Sequence, residues 1–281
     1  MKLITVSKVF IIAEIGHNHN GSMEDAKKLI DMAVECDCNA VKFQKRTIEV
    51  VYTKGYLDSP RKSPWGTTQR EQKEQIEFSK EEYDEIDNYC RSKDIEWFAS
   101  AWDTESQLFL RQYDLKYNKV ASAMLTHIPL LRLIAEEKKH TFISTGMSTF
   151  ISIDNAVDIF RMQGCPFTLM QCCATYPSNI KDLNLRCMVT LRDRYGCEIG
   201  YSGHEVSPMP SVMAAVLGAV AIERHITLDR TMYGADQSAS LERHGLKIMV
   251  DNIRNIPFCI GDGVKRIIPG EEAMAKKLRY W

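Results

Sequence analysis

His204 and His225 stand at or just past the ends of two short apolar runs, Glu198–Ser202 and Val220–His225. If those runs are neighbouring strands, about 4.8 Å apart, both imidazoles reach one ion. Two imidazoles completed by carboxylate, water or substrate oxygens suit a divalent metal such as manganese or magnesium. The plainer reading is a hydrogen-bonding histidine at each strand end. Lys42 lies in a third run, Ala40-Val-Lys-Phe-Gln44. An ammonium there grips a carboxylate or phosphate as a point charge, forms a Schiff base with a carbonyl, or merely reaches for solvent. Ser100, Ser122, Ser144 and Ser202 close other runs and offer hydroxyl and backbone donors to phosphate oxygens; Glu14, Gln44, Lys119 and Gln171 hold comparable places. Singly, these residues are ordinary. Together they describe a polar ring around a pocket for a small anionic substrate.

Such a ring needs elements that all end on one face. Apolar runs at Phe10–Ile15, Ala40–Gln44, Glu96–Ser100, Tyr117–Ser122, Thr141–Ser144, Phe167–Cys172, Glu198–Ser202 and Val220–His225 alternate with amphipathic stretches. Strand-length runs separated by helix-length segments read as repeated βα units around a parallel sheet. Eight units predict a single (β/α)8 TIM barrel over residues 1–281, with its active site at the strand C-termini. An open doubly wound sheet is the alternative. Ala26, Leu29, Ile30, Ala33 and Val34 have helical spacing, as do Leu246, Met249, Ile253 and Ile256. Ser22 with Asp25, Ser79 with Glu82, and Thr104 with Gln107 are read as capping boxes. The long connection Lys45–Phe78 follows the second strand, where a lid over the site is expected.

Composition narrows the partners. The chain has 281 residues, 36 basic against 37 acidic, for a net charge of −1. That balance predicts neither nucleic-acid nor membrane binding in bulk. Met1–Phe10 shows no secretory signal, and no run of 18 apolar residues occurs. The nine cysteines include no C-x-x-C pair, so reduced thiols in a cytoplasmic protein are expected rather than a disulfide framework or structural zinc.

Longer motifs carry a resemblance. Ile12-Ala-Glu-Ile-Gly-His-Asn-His-Asn-Gly21, Ala40-Val-Lys-Phe-Gln44, Ser144-Thr-Gly-Met147, Gly200-Tyr-Ser-Gly-His204, Glu223-Arg-His225 with Thr227-Leu-Asp229, and Gly234 to Leu241 occur in order. From residue 10 to about 272 the chain resembles the sialic acid (N-acetylneuraminate) synthase family. The resemblance implies condensation of phosphoenolpyruvate with a 2-acetamido sugar aldehyde and release of phosphate. It implies His204 and His225 as ligands of a divalent metal (manganese or magnesium). Lys42, Ser122, Ser144, Ser202 and Lys265 fall at phosphoenolpyruvate-binding positions, with Ser100 and Lys119 beside them. Glu14, Gln44, Tyr176 and Asp236 fall around the metal and the sugar, with Glu14, Lys42 and Gln44 as the catalytic candidates. A homodimer is compatible with it.

The departures are specific. The family commonly has a carboxylate where Met124 stands, Asp where Gly203 stands, and Gly-Pro-Asp-His where Gly234-Ala-Asp-Gln237 stands. The small antifreeze-like domain that many members carry after the barrel is not expected here. Met124 and the uncovered mouth predict an acceptor other than plain N-acetylmannosamine, either a deoxy sugar or one completed by the Lys45–Phe78 loop or by a separate protein. Rival readings are an octulosonate- or heptulosonate-type synthase, a Schiff-base aldolase, and a non-catalytic sugar-binding subunit.

Overall fold

The computed structural model describes residues 8–281. Most of the Met1–Phe10 segment read for a secretion signal therefore lies outside the described residues. Eight parallel strands close into a barrel: β1 (Phe10–Gly16), β2 (Ala40–Lys45), β3 (Glu96–Ala101), β4 (Tyr117–Val120), β5 (His140–Ser144), β6 (Phe167–Cys172), β7 (Glu198–Gly203) and β8 (Ala221–His225). β1 pairs with both β2 and β8, and the remaining strands pair in chain order. The predicted barrel is thus the observed one. The fourth strand is shorter than expected, because the chain leaves it at Val120 and turns through a 3-10 step at Ser122–Met124.

Eight helices pack outside: α1 (Met23–Glu35), α2 (Lys80–Ser92), α3 (Thr104–Leu110), α4 (Ile128–Glu136), α5 (Phe150–Met162), α6 (Cys187–Tyr195), α7 (Met209–Val216) and α8 (Arg243–Ile260). The predicted stripes face inward: Ala26, Leu29, Ile30 and Ala33 on α1, and Leu246, Met249, Ile253 and Ile256 on α8, are buried against the sheet. Each large aliphatic side chain so buried contributes about 1.5–3 kcal/mol. Ser79 and Glu82 form the reciprocal capping box expected at α2. Ser22 caps α1 by accepting from the Asp25 N–H, without a reciprocal bond. At α3 the cap is Asp103, not Thr104: the Asp103 carboxylate accepts from the Ser106 N–H and hydroxyl and from Thr47, so it outcompetes the neighbouring hydroxyl. The nine cysteines are free. Among the described residues, no helix is long and apolar enough to cross a membrane.

The Lys45–Phe78 connection is a folded insertion rather than an open loop. It contains short helices at Ile48–Val51 and Lys54–Leu57, a hairpin at Pro60–Ser63 and Gly66–Thr68, and a helix at Gln69–Ile76. Its two ends are tied by Lys45 Nζ on Glu77 Oε1 at 2.6 Å. Phe78 stacks on His19 of the β1–α1 loop, with centroids 4.0 Å apart, and Trp65 meets Tyr233 edge-on. The insertion therefore forms one wall of the barrel mouth.

Candidate active site

In a closed parallel barrel, alternate residues of each strand point inward, and the last ones stand at the C-terminal mouth. Register then decides which of them meet. Glu14 lies beside Lys42 on one side and His225 on the other; Gln44 lies beside Ser100, Ser100 beside Lys119, and Ser202 beside Glu223. These side chains line a cavity of ≈ 150 Å³ together with Ser122, Ser144, Tyr176 and His204. A larger cavity, ≈ 260 Å³, lies at the opposite end of the barrel beneath α2. It gathers no comparable constellation.

Charge in the mouth cavity is buried and mutually compensated. Lys42 Nζ sits 2.7 Å from Glu14 Oε2, donates to Ser100 Oγ at 2.9 Å, and lies 3.9 Å from Glu223 Oε1. Lys119 Nζ donates to Ser144 Oγ at 2.6 Å and is also 3.9 Å from Glu223 Oε1. Glu223 is thus wedged between two ammonium groups, and it accepts from Ser202 Oγ at 3.1 Å. Burial would push its carboxyl up, but Lys119 and Lys42 hold it below the ordinary range. Burial pulls the Lys119 ammonium down, opposed by Glu223 and reinforced by Lys42. Glu223 Oε2 and Glu14 Oε2 have no hydrogen-bond donor, the Lys42–Glu14 contact being an ion pair without hydrogen-bond alignment. Unsatisfied buried acceptors of this kind are rare outside functional sites.

The two imidazoles face each other beside this cluster, with ring centroids 5.4 Å apart. His204 Nδ1 is 2.8 Å from the Cys173 carbonyl, to which it donates when it carries the ring proton; Nε2 then holds the free lone pair. Burial, then His225, push the His204 imidazolium down to about 3, so the ring is neutral and able to ligate. His225 Nδ1 is buried without a hydrogen-bond partner and lies 3.9 Å from Asp236 Oδ2. Tyr176 packs over His204 with centroids 4.1 Å apart. Among the described residues no set of three His, Cys, Asp or Glu side chains converges. The site offers two nitrogen ligands and open positions, which fits a metal that also takes substrate or water oxygens.

Gln44 donates to Glu14 Oε1 at 2.8 Å and accepts from Arg46 at 2.6 Å, which locks its amide. Gly146 is required where it stands: an added Cβ would lie 2.8 Å from Ser122 Oγ, the atom that accepts from its own N–H. Asp236 borders the mouth from the loop after β8 rather than lining the main cavity. Gln171 donates to the Leu183 carbonyl and lies outside the cavity.

Two expectations do not hold in the geometry, and one departure from the family pattern finds its reason. Lys265 is exposed on the segment between α8 and the terminal helix Pro269–Leu278, so the fold does not bring it to the cavity. Met124 packs against the core, and its turn presents Ala121, Ser122 and Ala123 to the cavity instead. The predicted apolar contact between Met124 and the acceptor therefore loses its basis. At Gly203, an added Cβ would come within 2.6 Å of Glu205 and Tyr201. Glu205 is fully buried there, ion-paired with Arg224 at 2.9 Å and accepting from Tyr201 at 2.7 Å. That cluster leaves no room for an aspartate at 203.

Sequence reasoning quoted Glu223 within a motif without giving it a chemical part, and it passed over Cys172 and Arg46. The signal for Glu223 was present: residues two apart on a strand share a face, so a carboxylate two before His225 points into the same cavity. Cys172 Sγ lies 3.9 Å from His204 Nδ1.

Comparison with known proteins follows the same lines. The NeuB family model matches residues 29–265. The chain is 38% identical over 279 residues to N-acetylneuraminate-9-phosphate synthase of Drosophila melanogaster, covering 96% of this chain and 75% of that one. It is 33% identical to N,N'-diacetyllegionaminic acid synthase of Campylobacter jejuni, covering 95% of this chain and 82% of that one. Its fold superposes with a TM-score of 0.83 on an N-acetylneuraminic acid synthetase from Leptospira borgpetersenii crystallised with citrate, at 30% identity and covering 98% and 94% of the two chains.

Proposed function

This chain belongs to the NeuB family, and on that premise we propose that it condenses phosphoenolpyruvate with a sugar aldehyde to give a nonulosonic, sialic-acid-like acid and inorganic phosphate. The observation that carries the reading is the pairing of two buried lysines around Glu223, beside the facing imidazoles of His204 and His225. A substrate that brings both carboxylate and phosphate suits the first group, and a carbonyl oxygen suits the second.

In this reading Lys42 and Lys119 hold the anionic enol donor, and Ser100, Ser122, Ser144 and Ser202 supply hydroxyls to its oxygens. The gain is positional: the enol CH2 carbon is held facing the aldehyde carbon, and a correctly placed pair is worth several orders of magnitude in rate. A divalent ion on His204 and His225 would supply Lewis-acid polarisation of the aldehyde oxygen. Asp236 and Gln44 lie where they can orient the acceptor. Carbon–carbon bond formation leaves positive character at the carbon that bears the phosphate ester. Glu14 and Glu223 flank the lysines there, and either carboxylate can stabilise that charge and take a proton from the water that adds to it. Collapse of the resulting tetrahedral centre breaks the carbon–oxygen bond and releases phosphate.

The rivals fare differently. Lys42 is engaged by Glu14 and Ser100, which favours an ammonium grip over an imine. Family membership favours nonulosonic over octulosonic or heptulosonic products. The free thiols support a reducing, cytoplasmic setting. The reading also includes a homodimer. The test is a panel of N-acetylated, bis-acetamido and plain sugars with phosphoenolpyruvate and metal, read by phosphate release and product mass. A mass equal to acceptor plus phosphoenolpyruvate plus water minus phosphoric acid supports the proposal. Binding of sugar without turnover across the panel points instead to a non-catalytic subunit.

A further inference from the structure

The ladder that joins β7 to β8 runs from Tyr201–Ile222 through Ser202–Glu223 to Gly203–Arg224, and so stops one residue short of His204. His225 is paired instead with Glu14 of β1. Beyond the ladder the two strands are joined by a side chain, that of Arg224. Residues alternate along a strand, so Glu223 and His225 point into the barrel while Arg224 points out, towards the turn that follows His204. Its guanidinium donates to the Glu205 carbonyl, to the Ser207 carbonyl at 3.1 Å and to Ser211 Oγ at 3.0 Å, and it is ion-paired with Glu205 Oε1 at 2.9 Å. Glu205 Oε2 in turn accepts from Tyr201 Oη of β7 at 2.7 Å. Arg224 and Glu205 are both fully buried. Gly203 makes the arrangement possible, because an added Cβ would lie 2.6 Å from Glu205 Oε2.

A buried ion pair is seldom worth more in stability than well-packed apolar groups of the same volume, and its best-attested use is to fix register. Here the register is that of two imidazoles. Arg224 adjoins His225 in the chain and Glu205 adjoins His204. A shift within the pair therefore moves one ring against the other, and the ring centroids stand 5.4 Å apart. His204 is steadied on its other side by the β6–α6 loop, where its Nδ1 meets the Cys173 carbonyl at 2.8 Å and its own carbonyl accepts from the Ser178 N–H at 3.0 Å. Those contacts tie His204 to β6 and leave its distance from His225 to the Arg224 bridge. We propose that Arg224 and Glu205 are positioning residues that set the separation of His204 and His225, and with it the strength with which the two rings together hold a divalent ion. The part concerning the ion rests on the condensation reading above.

The test measures binding of manganese by the full chain, without turnover. Arg224→Met alone would strand Glu205 in the interior, so the pair is replaced together, as Arg224→Met with Glu205→Met. Calorimetry should show manganese affinity lower by about tenfold or more, the range over which supporting residues act on metal sites. Phospholactate, a non-reacting analogue of the enol donor, should bind the metal-free variant as tightly as the metal-free parent, because it engages Lys42 and Lys119 rather than the histidines. The urea midpoint should stay close to the parent's. Tyr201→Phe keeps the ion pair but frees Glu205 Oε2; it should lower manganese affinity by a smaller factor, and it decides the matter if the double variant does not fold. Unchanged manganese affinity in the folded variant defeats the positioning role and leaves the condensation reading standing. Manganese and phospholactate affinities that fall together defeat it as well, since the pair then supports the whole mouth. A parent that binds no manganese, or binds it equally after His204→Ala, defeats the metal part of the condensation reading and this inference with it.

Discussion

The two cavities at the barrel mouth handle charge in opposite ways. In the main cavity two lysines face two carboxylates, all deeply buried, with ion-pair contacts as short as 2.7 Å. A side cavity between the β1–α1 loop, the insertion after β2 and the loop after β8 sets Arg61 and Lys73, with Arg46 close by, against Asp236, which is turned towards His225. A buried charge needs a partner of opposite sign or a ligand. The main cavity carries its own partners, so its groups are held in place before substrate arrives. The side cavity sets its cations around a single carboxylate, so they lower one another's charge instead. Balanced and unbalanced charge thus stand side by side at one mouth.

Chelation should produce the largest difference between them. Dialysis against a chelator is expected to reduce turnover to background, and added manganese or magnesium should restore it. Full turnover by the metal-free protein would remove His204 and His225 from the proposed chemistry.

Lys42→Met comes next. Removing one member of a buried pair leaves Glu14 uncompensated, at a cost of about 3–5 kcal/mol in stability. The apparent requirement for phosphoenolpyruvate should rise sharply in the same variant. Adding Glu14→Gln should recover much of the stability without recovering activity. Urea denaturation of the single and double variants measures the first effect. Trapping of an adduct on Lys42 by borohydride would count against a purely electrostatic part for it.

In the side cavity the corresponding change should cost almost nothing. Lys73→Met relieves repulsion from Arg46 and Arg61, so its stability should stay within about 0.5 kcal/mol of the parent or rise. A loss comparable to that of Lys42→Met would show that the two regions are not distinct in the way described.

The smallest effect is a pH trend. Burial, then Arg46 and Arg61, bring the Lys73 ammonium down to about 8. Its charge therefore costs stability below that value, and the cost should fade as pH rises from about 8 towards the free-lysine range. Urea denaturation across that range should show a slight rise in stability, which Lys73→Gln should flatten.

How much of this was legible in the sequence follows from the same physics. Barrel strands are covered on the outside by helices and filled on the inside, so they read as near-continuous apolar runs. All eight were visible for that reason. Lys42, Lys119, Ser144, Ser202 and His225 were legible because they stand at or near the ends of those runs, where a barrel builds its site. The side cavity was not legible. Arg61 and Lys73 sit in short polar elements of the insertion, and only tertiary packing against Tyr233 and His17 makes their positions meaningful. Lys265 and Met124 erred for the opposite reason: motif position was read as spatial position, whereas the chain leaves the barrel before Lys265 and the turn after β4 points Met124 at the core.

The central claim is tested most directly by phosphoenolpyruvate carrying 18O in the bridging carbon–oxygen position. It is incubated with the metal-loaded protein and the sugar aldehyde that turns over best. The account predicts a new α-keto acid with the summed carbon skeleton, and label carried entirely into the released phosphate because the carbon–oxygen bond breaks. Phosphate without the label, or phosphate formed with no joined product, would contradict it.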